Sequence, residues 1–197
     1  MRKVPRQARS RQMVERIVDS GRQVLARDGY ARFSTYRVAQ AAGVSPGSLY
    51  QYFHDKDELL EVVLDRYWDE VAARVSASLT DRLGDPPDRM VRNTVDALLF
   101  ALEQDSQLLR VVVTEIPLST MNERRAALRR HIQDLGSVYL SMISPDSRAR
   151  VATRTWVVVA AMEGLALRWV LEETGIAREE LVEELTQLAE RYLTGAG

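Results

Sequence analysis

The sequence predicts an all-α fold: an N-terminal three-helix helix-turn-helix head, joined by a long helix to a C-terminal helical domain. Three observations predict it. Apolar residues recur at helical spacing along the chain, with no strand alternation and no internal repeat. Glycines and prolines interrupt that spacing where separate helices would end and begin. The run from Ala41 to Phe53 joins a helix stop, a cap and a new helix start without a gap.

The first helix carries Met13, Ile17, Gly21, Val24 and Leu25 at helical spacing and stops at Asp28-Gly29-Tyr30. A short helix from Thr35 to Ala42 then buries Val38, Ala39 and Ala42. Gly43 closes it, since glycine adopts the left-handed cap conformation without steric cost. Ser45 caps the next helix and Pro46 takes its first position, where a missing N–H costs nothing. Val44 and Leu49 stand at the two positions of a hydrophobic staple. At roughly 100° per residue, Leu49 and Phe53 share the inner face while Gly47 and Gln51 point outward. Ser48 and His54 flank that outer face, and Tyr50 and Tyr52 lie on its edges. An amide that can pair with adenine, bordered by phenols, is a surface fit for the major groove.

Asp55 and Glu58 have capping-box spacing and open a long helix, reaching about Leu83, with Leu60, Val63, Leu64, Tyr67, Val71 and Val75 on one face. Gly84-Asp85-Pro86-Pro87 ends it and starts a helix bearing Val91, Val95, Leu98, Leu99 and Leu102. A short helix from Leu108 to Val113 ends before Pro117. Another runs from about Thr120 to Met142, with Leu128, Ile132, Leu135 and Tyr139 on its apolar face. Ser144-Pro145 starts a helix reaching Glu173, stopped by Thr174-Gly175. The last, Arg178 to Leu193, buries Leu181, Leu185, Leu188 and Tyr192.

Charge divides the chain in the same place. Lys+Arg number 27 and Asp+Glu 28, so the whole is nearly neutral. Residues 1–54, however, hold ten basic residues against three acidic, net +7, which leaves 17 against 25, net −8, for the rest. A basic head on an acidic body suits phosphate binding, where counterion release supplies affinity. Much of the excess lies in the arm Arg2, Lys3, Arg6, Arg9 and Arg11, suited to tracking the minor groove or the backbone.

Composition excludes other classes. No cysteine means no disulfide and no thiolate metal site, and His54 and His131 lack the spacing of a metal pair. No metal or cofactor is expected. No apolar signal precedes the charged arm, so a cytoplasmic location is expected. The apolar run Trp156–Leu171 is shorter than a bilayer span and contains Glu163 and Arg168, so no membrane partner is expected. A DNA-acting enzyme would need a nucleophile–base set or a carboxylate cluster, and neither is recognisable.

The order of elements and the run Gly43-Val44-Ser45-Pro46-Gly47-Ser48-Leu49-Tyr50-Gln51-Tyr52-Phe53-His54-Asp55-Lys56-Asp57-Glu58-Leu59, preceded by Gly29-Tyr30, resemble the tetracycline-repressor (TetR) family of bacterial transcription regulators. The likeness covers about the first 65 residues; beyond them it is one of length and helical pattern. It implies a DNA-binding head over 1–55 and an effector-binding and dimerisation domain over 56–197. It implies that Thr35, Tyr50 and Lys56 hold phosphates and that Tyr36 contacts a base or the backbone. Gly47, Ser48, Gln51 and Tyr52 would face the bases, with Ser45 and Pro46 at the start of the reading helix and Arg6 and Arg9 on the arm. The partner so implied is double-stranded DNA carrying a palindromic operator.

Residues 156–171 are apolar nearly all round, so their helix needs cover on more than one side. One core covers one side; the other needs either a partner molecule or a second copy of the chain. The resemblance implies a four-helix dimer interface built from Val157, Ala161, Leu165, Trp169, Leu181, Leu185, Leu188 and Tyr192. It also implies an effector pocket, for which Tyr67, Val71, Leu99, Leu128, Ile132, Trp156, Ala160 and Glu163 are candidates. Glu163 sits among apolar neighbours and needs a partner, either a ligand group or, the commoner case, an Arg from another helix or chain. The expected function is a homodimeric repressor released from its operator by a small, lipophilic effector. The alternative is a regulator without such an effector, controlled by a protein or acting as an activator.

Overall fold

A computed structural model of the chain describes residues 8–81, 84–143 and 147–194. Among them all regular structure is helical: α1 Ala8–Asp28, α2 Thr35–Ala41, α3 Pro46–Tyr50, α4 Lys56–Thr80, α5 Pro87–Glu103, α6 Ser106–Thr114, α7 Leu118–Ile143, α8 Arg148–Leu171 and α9 Arg178–Thr194. A 3₁₀ turn, Tyr30–Arg32, follows α1.

Packing divides the chain into two compact units: Met1–Tyr67 with Gln107–Asn122, and Trp68–Ser106 with Glu123–Gly197. The helix start at Lys56 lies close to the expected 55/56 boundary, but packing partners change only at Tyr67, inside α4. Residues of α6 group with the head, where Leu108, Leu109, Val111 and Val112 are buried.

In the first unit α1 packs on α2, and α2 on α3. The α2–α3 turn is a Schellman stop. Val44 N–H donates to Ala39 O (3.0 Å) and Gly43 N–H to Gln40 O (3.2 Å), with Gly43 at φ 64. Ser45 Oγ then accepts from Ser48 N–H at 3.1 Å. A five-residue helix cannot persist alone. Leu49 and Phe53, both fully buried, anchor it, each contributing about 2 kcal/mol by removal from water. Half of the capping box of α4 is made, Asp55 Oδ1 accepting from Glu58 N–H (2.8 Å), while Glu58 Oε2 reaches one residue further back to His54 N–H (2.5 Å). Gly21 lets α1 approach α4, since a Cβ there would lie 2.9 Å from Val63 Cγ2.

In the second unit α5 packs against α8 and α9. Arg178 pins the start of α9 to α5 through Asp96 (2.6 Å) and Glu103 (3.1 Å). On α7, Tyr139 Oη donates to Asp85 O at 3.0 Å. Two helices are shorter than their apolar patterns suggest. The described part of α8 starts at Arg148 behind Ser147, and the expected start at Ser144-Pro145 falls outside the described residues. It ends at Leu171 because Glu172 turns extended, and Trp169 Nε1 then holds the following loop through Ile176 O at 2.9 Å. The long helix α4 ends at Thr80, and Leu83 lies outside the described residues.

Candidate functional site

The helix-turn-helix face is built from α2, α3 and the start of α4. Thr35 and Tyr50 share a hydrogen bond between their hydroxyls at 3.0 Å, joining the first residue of α2 to the end of α3. Ser10 Oγ of α1 donates to Tyr52 Oη at 3.2 Å, so both tyrosines flanking the reading surface are held by their phenols. Gly47 and Gln51 are exposed between them. Gln51 follows the last turn of α3 but keeps helical dihedrals, so its outward direction continues that helix. Tyr36 is 66% exposed. Ser48 is half-buried, its hydroxyl 2.9 Å from Ser45 Oγ. Lys56 places its ammonium 4.3 Å from the centre of the Tyr30 ring. Arg9 is exposed, and Arg6 lies outside the described residues.

Electrostatics brace this face. Asp28, at the end of α1, bonds Arg27 (2.7 Å) and Arg37 of α2 (3.0 Å). The hydrogen bond from Arg27, followed by that from Arg37, outweighs desolvation and holds its carboxyl down at about 2. Arg66 of α4 reaches Glu15 (2.6 Å) and Asp19 (3.3 Å) of α1.

The second unit contains a cavity of about 130 Å³ walled by α4, α5, α7 and α8, with Leu193 of α9. Of the expected positions, Val71, Ile132 and Glu163 line it. The others lie elsewhere for identifiable reasons. Tyr67 is buried in the first unit beneath the Arg22 guanidinium. Leu99 is packed solid on α5, and Trp156 and Ala160 lie on a different side of α8. The side chain of Leu128 is outside the described residues.

Sequence reasoning missed Thr155, Arg129, Gly136 and Met90, all of which line the cavity. A signal existed for Thr155: with Val159 and Glu163 it forms an i, i+4, i+8 row on α8. The partner of Glu163 is Arg129 of α7, at 2.8 and 3.2 Å. That hydrogen bond raises the guanidinium pKa.

A third feature is a set of exposed apolar side chains on α8 and α9. Trp156, Leu165, Leu188 and Tyr192 are exposed, Trp156 at 57%. Val157, Ala161 and Trp169 are half-buried. Leu181 and Leu185 differ from these: both are buried inside the unit, turned to its core by the helical phase of α9.

The family model of the bacterial regulatory proteins of the tetR family matches residues 17–63, which is the head just described. A second, for the tetracyclin repressor-like C-terminal domain, matches residues 86–193. The chain belongs to the TetR family. The family is one of bacterial regulatory proteins. The transcriptional repressor DhaR of Mycobacterium sp. (strain GP1) is 26% identical over 193 residues, covering 91% of each chain. The nucleoid occlusion factor SlmA of Actinobacillus pleuropneumoniae is 32% identical over 75 residues, 38% of this chain, so the matched part spans about a third (34%) of SlmA. The transcriptional regulator FadR from Bacillus subtilis, solved in complex with stearoyl-CoA, shares the fold. Its TM-score is 0.70 at 16% identity, over 92% of this chain and 98% of that one.

The exposed groups of the helix-turn-helix are of kinds that DNA binding uses: phenols and cations for phosphate, an amide for a base edge. Among the described residues no helix is long and apolar enough to cross a membrane, and no three metal-ligating side chains cluster.

Proposed function

We propose that this TetR-family regulator is a homodimeric, cytoplasmic repressor that reads a palindromic operator and leaves it when a small lipophilic molecule occupies the cavity of the second unit. The apolar cavity carries this reading. A void walled by aliphatic side chains forgoes the contacts that close packing supplies, and a matching apolar ligand restores them. DhaR, alike over nearly its whole length, bears the name of a repressor.

The exposed apolar side chains of α8 and α9 support the dimer. Leu165, in the i, i+4 row Val157, Ala161, Leu165 and Trp169 of α8, and Leu188 and Tyr192, one turn apart on α9, leave apolar surface in water in the single chain, and an isologous four-helix contact would remove it. Two heads then read two half-sites in register. Gln51 would specify a base, Thr35, Tyr50 and Lys56 would hold phosphates, and Gly47, Ser48 and Tyr52 would adjoin the groove.

Release follows from linkage. The helix α4 carries residues of both units, with Val71 and Val75 on the cavity and Lys56 at the head. A ligand that moves α4 changes the separation of the two heads, while the half-sites keep theirs. Effector and operator must then weaken each other by the same factor. The test is a titration of lipophilic compounds into the dimer with and without an operator fragment selected from genomic DNA. Equal effector affinity in both titrations would remove the release mechanism.

A further inference from the structure

We propose that the cavity selects an uncharged, compact apolar molecule bearing one hydrogen-bonding oxygen, and that Thr155 is the residue that meets that oxygen. This rests on reading the cavity as the effector site and adds the chemical class it takes.

Thr155 is 4% exposed and lines the cavity, yet its Oγ1 has no hydrogen-bond partner. A helical threonine can bond the carbonyl one turn back. In this protein Thr94, Thr114, Thr153 and Thr186 do so, through Met90, Arg110, Ala149 and Val182. Thr155 does not. Its methyl is wedged against α7, where a Cβ on Gly136 would lie 2.9 Å from Thr155 Cγ2. Glycine at 136 thus makes room for the methyl and leaves the hydroxyl to seek a partner elsewhere. Two other polar groups on the wall are already satisfied, Thr94 by its own helix and Tyr139 by Asp85 O. A buried hydroxyl kept without a partner calls for one, and a ligand oxygen in the cavity can accept from it or donate to it.

The charge on the wall argues for a neutral ligand. Arg129 and Glu163 are the charged residues lining the cavity, and they are bonded to each other through two contacts. An anion here would be opposed by the Glu163 carboxylate, and a cation by the Arg129 guanidinium. A neutral molecule leaves the pair closed. Size sets the scale: about 130 Å³ is close to the roughly 150 Å³ of an engineered apolar cavity that binds benzene, so the space suits one ring.

The test uses the full chain and probes of matched shape: benzene, phenol, benzoate and benzylammonium, with stearoyl-CoA as a long acyl probe, each measured by calorimetry. Phenol should bind more tightly than benzene, and benzoate and benzylammonium about tenfold more weakly than phenol. Thr155→Val, which keeps the shape, should weaken phenol about fivefold and leave benzene within twofold. Thr155→Ser, which keeps the hydroxyl, should retain the preference for phenol. Benzene and phenol responding alike to Thr155→Val would overturn the proposal while leaving an effector site in place. So would benzoate matching phenol, or stearoyl-CoA binding that phenol does not compete. Failure of all five probes to bind would overturn both this proposal and the effector-site reading.

Discussion

The carboxylate of Glu115, one residue beyond α6, accepts the backbone N–H of Tyr30 at 2.8 Å, across 85 residues of sequence. The contact sits at the stop of α1, where Gly29 adopts φ 78. A Cβ on Gly29 would lie 2.8 Å from Glu115 Oε2. Glycine is required at this position for its dihedral, and a Cβ there would push aside the end of the flexible Glu115 side chain. The same contact helps explain why residues 107–122 pack with the head rather than with the helices that surround them in sequence.

Gly29→Ala should destabilise the protein by about 2 kcal/mol, from left-handed strain and the Glu115 contact together. Glu115→Ala removes one exposed hydrogen bond and should cost no more than about 1 kcal/mol. Urea unfolding of both variants checks the order. A Gly29→Ala variant as stable as the parent would show that the stop of α1 is not strained.

Gln51→Ala should relax base preference at one position per half-site by about 1–3 kcal/mol while leaving overall phosphate affinity in place. Lys56→Ala should weaken all sequences alike and flatten the dependence of affinity on salt. Selection of bound fragments followed by anisotropy at several salt concentrations separates the two. An unchanged selected motif for Gln51→Ala would show that this residue does not face a base.

Leu188→Glu should split the dimer while leaving the helices intact, because the side chain is 47% exposed in the single chain. Leu185→Glu should unfold the second unit, since that residue is 3% exposed and its charge would have no partner. Sedimentation velocity and circular dichroism distinguish these outcomes. Leu188→Glu that stays dimeric at micromolar concentration would place the interface elsewhere.

Asp28 carries a pH dependence whose sign follows from its lowered pKa. Arg27 and Arg37 favour the ionised carboxylate in the folded protein, at about 2 against an ordinary value of 3.8. Its stabilisation is complete above the unfolded value and is lost as pH falls from about 4 through about 2. Asp28→Asn should be less stable than the parent at neutral pH, and the gap should close as the pH approaches 2. A gap that persists unchanged to pH 2 would show that the carboxylate's charge is not its source.

Sequence alone determined what depends on a few neighbouring residues. The stop at Gly43, the caps at Ser45 and Asp55 and the burial of Leu49 and Phe53 follow from backbone sterics and an angle counted over one or two turns. Error in that angle has no room to grow there, so the reading head was legible residue by residue. Its hydroxyl pairings were not, because Thr35–Tyr50 and Ser10–Tyr52 join different helices. Only tertiary structure decided the second unit. An apolar side chain on α8 reads the same in sequence whether it faces the cavity, the core or water. Packing against α5 and α7 put Thr155 and Val159 on the cavity and left Trp156 in solvent. Sequence required a partner for Glu163, but the approach of α7 chose Arg129. The physical reason is one of range. Caps and turns are fixed by local dihedrals, whereas a cavity is the space that several helices fail to fill, and no single helix encodes it.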